Sequence, residues 1–100
     1  MLSHIVFFNL KDNTADARQA LVDACREHLD GHEGTVFFAV GTRTPDLQRE
    51  VNDQTFDVAL HVIFATRENQ DAYQTDPRHL KFIAENRDNW AQVRVFDSDC

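Results

Sequence analysis

Nine residues near the start of the chain, Leu2–Leu10, are largely apolar on both of their alternating rows. Leu2, His4, Val6, Phe8 and Leu10 form one row; Ser3, Ile5, Phe7 and Asn9 form the other. Successive strand side chains point to opposite faces, so a strand that is apolar on both predicts a cover on each side. Few small folds offer that, and the rest of the chain narrows the choice.

Lys11-Asp12-Asn13-Thr14 breaks the strand, with Asn13 or Thr14 suited to cap a helix directly after it. From Ala15 to Asp30 the apolar positions Ala17, Ala20, Leu21, Ala24, Cys25, His28 and Leu29 recur at three and four, the spacing of one helical stripe. Gly31 and Gly34 bracket its stop. A second strand is predicted over Thr35–Gly41, with Val36, Phe38 and Val40 on one face. Thr42 to Gln54 reads as a polar loop around Pro45. The third strand, Phe56–Phe64, sets Phe56, Val58, Leu60, Val62 and Phe64 against Asp57, Ala59, His61 and Ile63. Thr66 caps a short helix through Thr75, and Asp76-Pro77 opens another, aspartate at the N-cap and proline at the first helical position. His79, Phe82, Ile83, Asn86 and Trp90 are predicted on one side of that helix, and Gln92–Asp97 is the last strand.

The order is βαββαβ, the ferredoxin-like arrangement of the α+β class: a four-stranded antiparallel sheet with helices on one face. The other face would then present Ile5, Phe7, Phe37, Ala39, Ala59, Ile63 and Phe96. A patch that apolar needs a cover, and a second copy of the chain is the simplest. Patterning alone therefore predicts a homodimer through the open sheet face, with His61 as a polar group of that interface.

The remaining composition mainly excludes. A formal net charge of −7, with ten scattered Lys and Arg, argues against nucleic acid and anionic membrane surfaces as partners. The longest apolar stretch, Ile5–Phe8, is far below the ~18 residues a span needs. Met1-Leu2-Ser3-His4 has no basic start or cleavage site, so a cytoplasmic location is expected. Cys25 falls on the apolar side of a helix and reads as a reduced, buried thiol; Cys100 reads as a frayed terminus. No spacing of His, Cys, Asp or Glu supports a metal, and no Gly-rich loop supports a nucleotide cofactor, so neither is expected.

Four segments resemble one family. His4-Ile5-Val6-Phe7-Phe8-Asn9-Leu10-Lys11 is similar to its first-strand motif, and Phe56-Asp57-Val58-Ala59-Leu60 to its third-strand signature. Tyr73-x-x-Asp76-Pro77-x-His79-x-x-Phe82 resembles its most specific motif, and Val93–Asp97 its closing strand. This is the stress-responsive dimeric α/β-barrel (Dabb) domain, and the resemblance spans essentially all of residues 1–100 as one domain. It implies two ferredoxin-like sheets paired into a dimeric barrel. The family often carries His-Pro-x-His where this chain has Asp76-Pro77-Arg78-His79, so a mechanism needing the first histidine has lost it, while the capping role survives. Among the family's members are stress-induced proteins of unknown activity, domains fused to other enzymes, and plant polyketide cyclases in which a pocket tyrosine and histidine handle protons. The positions that match here are Tyr73 and His79, with His4 as a further pocket histidine.

The face assignments turn His4, Tyr73 and His79 toward the space between sheet and helices, beside Val6, Phe8, Val58, Leu60, Phe82 and Trp90. An apolar cleft with a few convergent polar groups is the usual small-molecule site. Histidine can take and pass a proton near neutral pH, and tyrosine can donate to a developing oxyanion. Each residue also has a plainer reading: His4 as a satisfied core histidine, His79 as a first-turn residue, Tyr73, Phe82 and Trp90 as packing. His28 and His32 read as cationic groups at a helix end. Three functions stay open on this sequence. One is a homodimer with an apolar ligand pocket and no fixed activity. Another is a cyclase- or isomerase-type proton-transfer enzyme acting on a small carbonyl compound through His79 and Tyr73. The third is a cofactor-free monooxygenase-like protein. An open cavity at His79 and Tyr73 favours binding or chemistry over a purely structural role.

Overall fold

The structure, a computed structural model, describes residues 1–100. Its elements are β1 (Leu2–Leu10), α1 (Ala15–Leu29), β2 (Thr35–Thr42), β3 (Val58–Phe64), α2 (Arg67–Thr75), α3 (Pro77–Asn86), a 3₁₀ turn (Arg87–Asn89) and β4 (Trp90–Asp99). The strands form one sheet in the order β2-β3-β1-β4, every neighbouring pair antiparallel, with β1 and β3 central. This is the ferredoxin-like βαββαβ fold, its second helical region split in two.

Local chemistry sets the element ends. The Thr14 hydroxyl accepts a hydrogen bond from the Ala17 N–H at 3.2 Å, and the Thr66 hydroxyl accepts from the Asn69 N–H at 3.1 Å. Each cap satisfies a first-turn donor that has no partner inside the helix. Gly34 has a φ of 82°, and any Cβ there would run into the Asn69 side chain, so the turn into β2 needs glycine for both reasons. Between α2 and α3 the Asp76 carboxylate accepts from the Arg78 N–H at 2.8 Å, with Pro77 at the first helical position.

The core lies between the sheet and the helices. Phe8, Val58, Leu60, Val62 and Phe64 contribute from the strands, Leu21, Val22, Cys25 and Leu29 from α1, and Tyr73 and Phe82 from α2 and α3. Fully burying one such side chain favours folding by ~1.5–3 kcal/mol. The opposite face is uncovered. On it Phe7 packs edge-on against Phe56 and Phe96 at 5.0 and 5.8 Å, and Phe37 meets His61 at 5.4 Å. Phe37 is 47% exposed and Phe96 54% exposed.

Three expectations need correcting. Trp90 is not on α3's apolar side; the 3₁₀ turn ends the helical run and Trp90 begins β4, where it packs on Phe8 and Phe82. Val36 does not share the inward face of Phe38 and Val40. The β2–β3 register slips between Thr35 and Phe37, and the irregularity turns Val36 outward. Phe56 does not face inward with Val58: β3 begins only at Val58, and the Phe56 ring lies on the open face against Phe7. His28 and His32 close α1 as expected, both of them buried, and a His32 ring nitrogen bonds the His28 carbonyl at 2.7 Å. No helix is long and apolar enough to cross a membrane.

Candidate functional site

Three elements bring polar side chains to one place on the helix side of the sheet. His4 comes from β1. Its register partner on β4 is Asp97, and the His4 Nδ1 and Asp97 Oδ1 atoms are 2.5 Å apart. An ionised carboxylate only accepts, so Nδ1 carries the hydrogen and Nε2 is the open ring position.

His79 is positioned by the break between α2 and α3. In an unbroken helix the Gln74 carbonyl would receive the N–H four residues on, that of Arg78. Arg78 N–H is committed to the Asp76 carboxylate, which leaves the Gln74 oxygen to His79 Nδ1 at 3.2 Å. A carbonyl also only accepts, so neutral His79 carries its hydrogen on Nδ1 and its lone pair on Nε2. Burial pushes the His79 pKa down; the Gln74 hydrogen bond opposes that, while His4 and His32 add to it. The ring is therefore a neutral imidazole at pH 7, the form of a base.

Tyr73, in the last turn of α2, sits at the centre. Its ring centroid lies 4.5 Å from His79, 4.9 Å from His32 and 6.0 Å from His4. Burial raises its phenol well above the ordinary tyrosine range, so the hydroxyl keeps its proton and can donate. Tyr73 and His79 meet through their rings. The open nitrogens of both imidazoles and the tyrosine hydroxyl have no partner within the chain, yet none is sealed from solvent.

These groups line one end of a cavity of about 260 Å³, whose other walls are Val6, Phe8, Leu29, Leu60, Phe82, Ile83, Trp90, Val93 and Val95. Of the residues singled out from sequence, His4, Val6, Phe8, Leu60, Tyr73, His79, Phe82 and Trp90 reach it, and Val58 does not: it is wholly buried in the core beneath. Sequence reasoning missed Asp97, Gln74 and His32. Asp97 was within reach, because Val93, Val95 and Asp97 alternate onto one face. The role of the Gln74 carbonyl follows from backbone geometry and leaves no trace in residue type.

No lysine or arginine lines the cavity, and Asp97 is its one carboxylate. The arrangement offers a neutral base, a phenol donor and a carboxylate-backed imidazole, with no lysine or arginine to hold a phosphate or carboxylate. No group of three or more His, Cys, Asp or Glu side chains is placed to hold a metal ion. A broader, more open depression of about 460 Å³ lies on the uncovered face around Ile5, Phe7, Phe56 and His61. It lacks such a cluster, so the smaller cavity is the candidate site.

Known proteins share this architecture. A dimeric ferredoxin-like protein of unknown function from Thermobifida fusca matches with a TM-score of 0.81 at 18% identity, covering 99% of this chain and 90% of that one. A Dabb family protein from Mesorhizobium loti matches at 0.78 and 16% identity, covering 99% and 95%. A hydroxynitrile lyase from Passiflora edulis matches at 0.76 and 19% identity, covering 97% and 90%. At these identities the likeness is one of fold. No curated protein sequence matches the chain at a significant level. The sequence profile of the stress responsive A/B barrel domain, Dabb, matches residues 2–100, and the chain belongs to that family.

Proposed function

We propose that this chain works as a homodimer whose subunits each hold a small, uncharged, largely apolar carbonyl compound between sheet and helices and move a proton on it. The observation that carries this reading is the state of His79: Nδ1 is tied to the Gln74 carbonyl, Nε2 is free, and the ring lies against Tyr73 in an apolar cavity. His79 Nε2 takes a proton from the carbon beside the carbonyl, and the Tyr73 hydroxyl donates to the oxygen on which negative charge develops. Positioned acid–base catalysis of this kind contributes roughly 10²–10⁴-fold. The hydroxynitrile lyase from Passiflora edulis supports the reading only in showing that the fold admits a lyase.

Dimerisation through the open face follows from its chemistry. Ile5, Phe7, Phe37, Ile63 and Phe96 form an apolar surface, and a protein of the same fold from Thermobifida fusca is described as dimeric. The cytoplasm suits this chain, since both cysteines are free thiols.

The test is deuterium exchange at the α-carbon of 2-heptanone in D₂O, followed by NMR, with thermal shift as the binding readout. Exchange above the buffer rate that disappears in His79→Ala, with the variant still folded and dimeric, supports the reading. Equal exchange with and without His79 refutes it.

A further inference from the structure

The pocket holds a second imidazole that proton abstraction by His79 leaves without a role. His4 and Asp97 are register partners on neighbouring strands, and both reach the cavity. The His4 Nδ1 and Asp97 Oδ1 atoms are in direct hydrogen-bond contact. The two histidines differ in what stands behind them. His79 has a neutral carbonyl at Nδ1, whereas His4 has a carboxylate, which fixes the tautomer and the ring's orientation. Each therefore presents Nε2 from a different wall of the cavity, β1 for one and α3 for the other, with Tyr73 between them.

We propose that His4, positioned by Asp97, is a second proton carrier of this site, so that one bound carbonyl compound is worked by two imidazoles. The inference rests on the proton-transfer reading and adds the group that protonates the oxygen. In the step, His79 Nε2 takes the proton from the α-carbon, and the C–H electron pair becomes the new carbon–carbon double bond. The carbonyl π pair moves to oxygen, which accepts the Nε2 proton of the His4 imidazolium, with Tyr73 donating a hydrogen bond alongside. The products are a neutral enol, a His79 imidazolium and a neutral His4 still bonded to Asp97. The reverse movement returns the carbonyl compound, with the proton delivered to the same carbon or to a vinylogous one. Atoms and charge balance with no oxidant, reductant or cofactor. Asp97 touches no reacting atom and is a positioning residue.

Asp97→Asn tests this on the intact chain. Asp97 lies on an edge strand with its side chain 46% exposed, so the variant is expected to fold. Exchange of 2-heptanone α-protons should fall about tenfold or more in kcat, with KM changed less than twofold. The ¹⁵N signals of the His4 ring should lose their fixed Nδ1–H tautomer, which a residue serving only for stability would not alter. His4→Gln should lose exchange to a similar extent. Wild-type exchange rates in Asp97→Asn, or an unchanged His4 tautomer, would overturn the proposal. If His79→Ala abolishes exchange while Asp97→Asn and His4→Gln keep it, the proton-transfer reading stands and this inference fails. Absence of exchange in the unmodified protein overturns both.

Discussion

Phe7 and Phe8 are neighbours in one strand and live in different environments. Phe8 is 2% exposed, packed on the helix side against Phe82 and Trp90. Phe7 is half-buried on the other side, held only by ring edges and by the Arg94 guanidinium 5.8 Å above it. The same contrast runs through the whole sheet. Its helix-covered face is packed and carries a polar cluster at one end, while its open face is aromatic and uncovered. One β-strand period thus separates two roles: even residues of β1 build the core and the pocket, and odd residues build the open face through which we propose the dimer forms.

Substitutions on the two faces should break the molecule in different ways. The largest effect is expected from Phe8→Ala, which removes a buried ring from a site that cannot collapse easily. It should cost ~3–5 kcal/mol in chemical denaturation, enough to leave much of a small domain unfolded. Phe37→Asp, on the open face, should instead leave the fold intact and convert the dimer to monomer by sedimentation, because a carboxylate would be buried without a partner. Folded monomer from Phe8→Ala, or intact dimer from Phe37→Asp, would erase the distinction between the faces.

The pocket makes a smaller, pH-dependent contribution. The His79 pKa is lower folded than the ordinary value of 6.5. The unfolded chain therefore binds that proton more readily, so the stability His79 contributes is present above pH ~6.5 and is lost as the pH falls through its folded pKa. His79→Gln should flatten the stability profile over that window, measured by thermal unfolding from pH 4 to 8. An unchanged slope would mean that the ring is not desolvated. Smallest is Asp76→Ala, which removes a cap and should cost ~1 kcal/mol. It also frees the Arg78 N–H to compete for the Gln74 carbonyl, so His79 should lose its fixed tautomer in ¹⁵N spectra as well.

Fold and pocket were not equally legible in the sequence. Strand periodicity, the Thr14 and Thr66 caps and the Asp76-Pro77 helix start are local signals, and residue type alone nearly determines them. The Val36 slip is not local, because it depends on how β2 meets β3. Trp90 shares the helical spacing of Phe82 and Ile83, but the 3₁₀ turn interrupts the helix first. The polar cluster is still less local. His4 and Asp97 stand 93 positions apart and meet only through the β1–β4 register, and His32 reaches Tyr73 only after α1 has docked.

The proposed chemistry turns on His79 being a neutral, Nδ1-protonated base open to the helix-side cavity. The most direct test is a ¹H–¹⁵N titration of the histidine rings, with and without 2-heptanone. His79 should be the Nδ1–H tautomer at pH 7, with its pKa below 6.5, and its Nε2 signal should shift on adding the ketone while that of His61, on the open face, does not. A His79 that is charged at pH 7, carries its proton on Nε2, or ignores the ketone would contradict that role.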